Sequence, residues 1–195
     1  MKASALKDTR LLQPCGKVCV FKNSRDLALR IDLDDLDVME DSVLVLQGIG
    51  LVGNPGMPEA GLIPIPWKLA KKGVTDMLRI SDGMMSGIAG GIIVLYISPE
   101  LVDPDSVFGI VQDGDFISCN VAERLLQLEV EESKVKKRIE NRKKNLAGGK
   151  GRDSWQARKT QRGYLGLYER NVNQAEKGCD FDFLTAYPEA SVDTI

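Results

Sequence analysis

Ser42-Val43-Leu44-Val45-Leu46-Gln47 runs straight into Gly48-Ile49-Gly50-Leu51-Val52-Gly53-Asn54-Pro55-Gly56-Met57-Pro58-Glu59, and this junction decides the reading of the fold. The first stretch is a short, continuous aliphatic run, the pattern of a strand buried on both faces. The second cannot continue it, because Gly and Pro recur through Pro66 and forbid regular structure. Prolines freeze such a loop and glycines let its backbone turn tightly, which leaves Glu59 as its only charged side chain. A lone carboxylate on a rigid loop suits a hard cation such as Mg²⁺. It equally suits a loop-closing Glu that caps the helix at Trp67 or accepts backbone amides, and residue type alone leaves the two open.

Outward from this junction the chain punctuates itself clearly. Upstream, Lys17 to Phe21 alternates and is β-branched, so it reads as a strand. Arg25 to Asp41 is acidic with a mixed period. Downstream, Trp67 to Lys72 reads as a short helix, with Pro66 before its first turn and Gly73 at its C-terminal end. Asp76 to Ile80 is a strand that opens into a second Gly-rich loop, Ser81 to Gly91. Ile92 to Ile97 is a strand again, followed by the turn Ser98-Pro99-Glu100. Val107 to Val111 and Asp115 to Asn120 flank Gln112-Asp113-Gly114 and read as a hairpin. Leu125 to Val130 adds one more strand. After Glu131 the pattern turns helical and polar, with Val135 and Ile139 as its apolar anchors. Tyr164 to Tyr168 and Phe181 to Leu184 are apolar islands that need something to pack on. The expected fold class is therefore α/β and β-rich: residues 1–130 form the body, and 131–195 form a basic helical arm and tail.

Composition sets the chemical limits. The 195 residues include no histidine, which excludes Ser-His-Asp and Cys-His catalysis and a His-ligated zinc from this chain. Cys15, Cys19, Cys119 and Cys179 are sparse, and Cys15-Cys19 is a C-x3-C pair with no second pair, so reduced thiols are the better reading. No apolar run approaches the ~20 residues of a membrane span, and the N-terminus lacks the apolar stretch of a secretion signal. The expected compartment is the cytoplasm, with the mitochondrion as the alternative. Between Glu131 and Arg162 there are 12 basic and 4 acidic residues against 14 and 24 elsewhere, local balances of +8 and −10 that sum to the net −2. A solvated helix and loop explains the basic stretch. Nucleic-acid binding through Lys134 to Arg162 is a weaker reading, since Trp155 is the only aromatic interleaved there.

The second glycine-rich loop, Ser81-Asp82-Gly83-Met84-Met85-Ser86-Gly87-Ile88-Ala89-Gly90-Gly91, places Ser86 among small residues at the mouth of a sheet. Its hydroxyl can meet a substrate there, and neighbouring N–H groups can form an anion-holding nest. A bare serine is a poor base; only an adjacent cation brings its alkoxide within reach near neutral pH. The bland reading is a glycine turn with a methionine pair filling core. Taken in order, Gly53-to-Glu59 (GNPGMPE), Ile80-to-Gly87 (ISDGMMSG) and Ser98-to-Glu100 (SPE) are similar to the C-terminal signature of the IlvD/Edd dehydratase family. The similarity extends over Lys2-Ala3-Ser4-Ala5, Leu11 to Phe21, Val43 to Glu59, Lys68 to Asp82 and Val111 to Ile117. The tail from Arg162 to Leu184 looks most like the sugar-acid (arabinonate and xylonate) branch.

The resemblance implies a hydro-lyase that converts a 2,3-dihydroxy acid, here a sugar acid, to a 2-keto acid. It implies a swivelling, β-barrel-like C-terminal domain with flanking helices. By the match, Ser86 is the catalytic base that takes the C2 proton and Glu59 is a Mg²⁺ ligand, with Asp82 and Gly87 in contact with substrate. An iron–sulfur cluster acts on the leaving hydroxyl in this family. Its cysteines and the remaining Mg²⁺ ligands are expected in a large N-terminal domain, so the four Cys here are not read as cluster ligands. That domain, a sugar acid and further copies in a homo-oligomer are the implied partners, with no membrane. Relatives usually carry Arg at the position of Met84, and sugar-acid members Thr at Ile88. They tend to have His where this chain has Tyr96 and Asn171. The alternative class is a truncated, inactive homologue that serves as a binding or structural module.

Overall fold

A computed structural model describes residues 9–56, 62–85, 91–147 and 162–184. Six strands form one mixed, curled sheet: β1 (Cys15–Phe21), β2 (Val43–Leu46), β3 (Arg79–Ser81), β4 (Ile93–Val94), β5 (Phe116–Asn120) and β6 (Leu125–Leu128). Their spatial order is β4-β3-β2-β1-β5-β6. β1 to β4 run parallel, with Val18 opposite Val43, Leu44 opposite Arg79 and Arg79 opposite Ile93. β5 and β6 are antiparallel and complete the sheet beside β1.

The aliphatic run at 43–46 is continuous because both faces of β2 are covered. Leu44 and Leu46 face one cluster with Cys19, Phe21, Leu27, Ile31, Leu36, Ile63, Leu69 and Met77. Val43 and Val45 face the other, with Val18, Val20, Leu78, Ile80, Ile92, Phe108 and Ile117. All four side chains of β2 are fully buried, each contributing about 1.5–3 kcal/mol of apolar burial. The first cluster is roofed by α1 (Ser24–Arg30) and α2 (Trp67–Ala70). Asn23 caps α1 by accepting the Asp26 N–H at 2.9 Å, and the Asp26 carboxylate accepts the Lys22 N–H, one residue before the cap, at 3.0 Å, a relative of the capping box.

The expected strand at Val107–Val111 is instead a 3-10 turn over Phe108–Ile110. Period two would bury alternate residues, whereas Phe108, Ile110 and Val111 are all buried and Val107 is exposed. Ser106 starts the turn by donating its hydroxyl to the Pro99 carbonyl and accepting the Gly109 N–H. The hairpin therefore forms one step later, between β5 and β6. The Gln112-Asp113-Gly114 turn pairs with β1 through Val18 N–H to Asp115 O at 2.7 Å and Gly114 N–H to Val18 O at 3.0 Å.

Among the described residues the body is followed by α-helices α3 (Glu132–Ala147) and α4 (Gly163–Asn171). α3 buries no residue fully, and Val135 and Ile139 are only half-buried. Arginines fasten it instead. Arg138 makes a two-pronged bond to Asp115 at 2.6 and 2.8 Å, and Arg142 donates to the carbonyls of Asp103 and Leu101. No helix among the described residues is long and apolar enough to cross a membrane.

Candidate active site

Because β2, β3 and β4 are parallel neighbours, the chain leaves all three at the same edge of the sheet. The loop after β2 leads toward Glu59, the loop after β3 toward Ser86, and the segment after β4 contains the Ser-Pro-Glu turn. The carboxyl ends of parallel strands are where open α/β sheets build their sites. Glu59, Ser86, Gly87 and Ile88 lie outside the described residues. What the structure shows is the frame from which both loops spring.

Two buried carboxylates hold that frame. Asp82, directly after β3, is 2% exposed, so every acceptor it offers must be met from within. It accepts the N–H of Gly48 at 3.0 Å and of Ile49 at 3.1 Å from the first loop, and of Leu101 at 3.3 Å from the segment after β4. One side chain thus ties three loops together. Burial pushes the Asp82 carboxyl up to about 6, the three N–H groups oppose that rise, and neighbouring Glu100 adds to it. Gly83 follows because nothing larger fits: a Cβ there would lie 2.5 Å from Ile49 Cδ1.

Glu100 grips the same loop further along. Its carboxylate accepts the N–H of Val52 at 3.0 Å and of Gly53 at 2.9 Å. Burial raises its pKa, with these bonds and Gln174 pulling it back. Gln174 in the tail clamps Glu100 twice, accepting the Glu100 N–H at 2.9 Å and donating Nε2 to its carboxylate at 3.2 Å. A Cβ on Gly50 would collide with Glu100 Oε2, so glycine is required where carboxylate and backbone pass. The tail touches this region twice more. Burial raises the Tyr168 pKa, the nearby Gly56 backbone opposes that rise, and Ser98 Oγ bonds Glu176.

The positions that depart from the resemblance are distributed around this frame. Met84 is half-buried just after Asp82. Tyr96 is exposed with φ 57°, and its N–H bonds Gly83 O at 3.2 Å. Asn171 donates its side-chain amide to Leu167 O within α4. Sequence reasoning singled out Asp82, quoted Glu100 within the Ser-Pro-Glu turn without giving it a role, and passed over Gln174. A carboxylate set between Ile97 and Leu101-Val102 was the signal for Glu100. Nothing local marked Gln174.

Both carboxylates accept backbone N–H groups from neighbouring loops, which ties them into the frame. Among the described residues no group of three or more His, Cys, Asp or Glu side chains is arranged to hold a metal. The thiols do not fit an iron–sulfur cluster. Cys19 and Cys119 are buried in the core while Cys15 and Cys179 are exposed. Burial pushes the Cys19 thiol up to about 11, away from the thiolate that a cluster needs.

Residues 1–179 match the family model described as dihydroxy-acid/6-phosphogluconate dehydratase C-terminal. A 6-deoxy-6-sulfo-D-gluconate dehydratase of Pseudomonas putida is 39% identical over 95% of this chain and 30% of its own length. An L-arabinonate dehydratase of Rhizobium leguminosarum is 35% identical over 89% of this chain and 28% of its own length. A dihydroxy-acid dehydratase of Oceanobacillus iheyensis is 31% identical over 87% of this chain and 27% of its own length. The chain thus spans less than a third of these relatives.

Proposed function

The chain belongs to the dihydroxy-acid/6-phosphogluconate dehydratase family through its C-terminal domain, and from that premise we propose that it supplies half of a composite dehydratase site. The substrate class is a 2,3-dihydroxy acid. The higher identity to the sulfogluconate and arabinonate enzymes than to the dihydroxy-acid enzyme favours a sugar acid. The product is the corresponding 2-keto acid.

In this reading Ser86 takes the C2 proton and Glu59 is a Mg²⁺ ligand. Gly87 contributes a backbone N–H to the substrate. Asp82 acts one step back, holding the strand exits from which both loops begin. A carboxylate and a hydroxyl offer the oxygen donors that suit a hard cation. When bound, Mg²⁺ would lower the serine pKa and stabilise charge on the enolate-like oxygen. The family's iron–sulfur cluster belongs in this reading to an N-terminal part, because the described thiols here do not suit it.

The observation that carries the proposal is the common origin of the three signature loops at one sheet edge, pinned together by Asp82. The test combines the chain with the N-terminal part of a relative, Mg²⁺ and reconstituted cluster, and measures 2-keto acid formed from aldonic acids. Turnover is expected and should vanish with Ser86→Ala and fall by orders of magnitude with Glu59→Gln. Turnover no higher than the Ser86→Ala control would overturn it.

A further inference from the structure

We propose that Gln174, acting through Glu100, is a positioning residue that sets the geometry of the loop leading to Glu59. Three observations converge on it. Glu100 holds the N–H groups of Val52 and Gly53 midway along that loop, at 3.0 and 2.9 Å. Gln174 fixes Glu100 through both its backbone and its carboxylate. Gly50 and Gly53 leave only enough room for the Glu100 carboxylate to pass beneath the loop backbone.

The loop is therefore gripped at two places by different parts of the chain. Asp82 holds its root at Gly48 and Ile49 from within the sheet. Glu100 holds its middle, but only as firmly as the tail holds Glu100. Without Gln174, the carboxylate that spans Val52 and Gly53 loses a bond to Oε1 and the anchor on its own N–H. It then can rotate toward solvent and release the loop. The tail meets the Ser-Pro-Glu turn a second time through Glu176 and Ser98, so that Gln174 and the turn after it form one clasp. The link to catalysis rests on the dehydratase reading above; the clasp itself does not.

The test is amide hydrogen exchange by NMR on the full ¹⁵N-labelled chain. Gln174→Ala should speed exchange at Val52 and Gly53 by about 5- to 10-fold, the loss of roughly one net hydrogen bond. Gly48 and Ile49, held by Asp82, should keep their rates. Gln174→Asn, which keeps the amide but shortens its reach, should give the same pattern and serves if the alanine variant folds poorly. Lys177→Ala, an exposed change in the same tail, should leave all four amides unchanged. A merely structural role would quicken all four together, and that result, or no change at Val52 and Gly53, overturns the proposal. Because the readout needs no turnover, a failure of the clasp is distinguishable from a failure of the dehydratase reading.

Discussion

A single side chain, Asp82, joins the loops after three adjacent strands, and its worth follows from what replaces it. In Asp82→Asn one carboxylate oxygen becomes an NH₂ group facing backbone N–H donors. Buried donors left without an acceptor should cost about 2–3 kcal/mol, read as a lower urea midpoint. The same residue sets a pH dependence. Its folded pKa, about 6, lies above the ordinary aspartate value near 3.9. Between those limits the folded chain keeps a proton that the unfolded chain has released, so this contribution to stability falls as pH rises from about 4 to 6. Carboxyl ¹³C titration should place the Asp82 midpoint near 6, and Asp82→Asn should flatten the stability profile in that window. Gly50→Ala is expected to destabilise by about 1–3 kcal/mol through overpacking against Glu100, visible as a lower melting temperature.

At the scale of elements, α3 is held by guanidinium groups rather than by apolar burial. Arg138→Ala removes the two-pronged bond to Asp115 and should cost about 1–3 kcal/mol. Faster exchange throughout α3 with an unchanged sheet would check this. Burial alone would raise the Asp115 carboxyl, yet Arg138 and the Gln112 N–H together hold it below its usual value. Stability from this pair is therefore present above the ordinary aspartate pKa and is lost as pH falls through the lowered one. The sequence showed some elements well and others poorly, for physical reasons. β1, β2, β5 and β6 were legible because their apolar residues run continuously or alternate. Val107–Val111 was misread because β-branched residues suggest a strand, while burial of Phe108, Ile110 and Val111 selects a tighter turn. The expected strands Asp76–Ile80 and Ile92–Ile97 shorten to Arg79–Ser81 and Ile93–Val94. The buried Asp76 carboxylate takes the N–H groups of Met77 and Ile92 that a longer ladder would have used. The two loops of the candidate site were legible from their glycine and proline pattern. The clasp was not, because Glu100 and Gln174 lie 74 residues apart and no periodicity links them.

Among the described residues the sheet carries a buried cluster on each face of its parallel strands, and two measurements read that directly. Leu44 is fully buried at the centre of the sheet, and Leu44→Ala should cost about 2–5 kcal/mol in chemical unfolding. Thiol labelling of the native chain should modify Cys15 and Cys179 quickly and Cys19 and Cys119 only on unfolding. Four fast thiols under native conditions would contradict the packing described for both clusters.

The antiparallel half of the sheet has one more consequence. β5 runs opposite to β1, with Cys15 across from Ser118, so the turn between Asn120 and Leu125 emerges at the end of the sheet remote from the three signature loops. Its tip, with Arg124 at φ 55°, is an attachment point for a fluorophore, an affinity peptide or a surface tether. A probe seated there would report on the molecule without touching the three signature loops at its far edge.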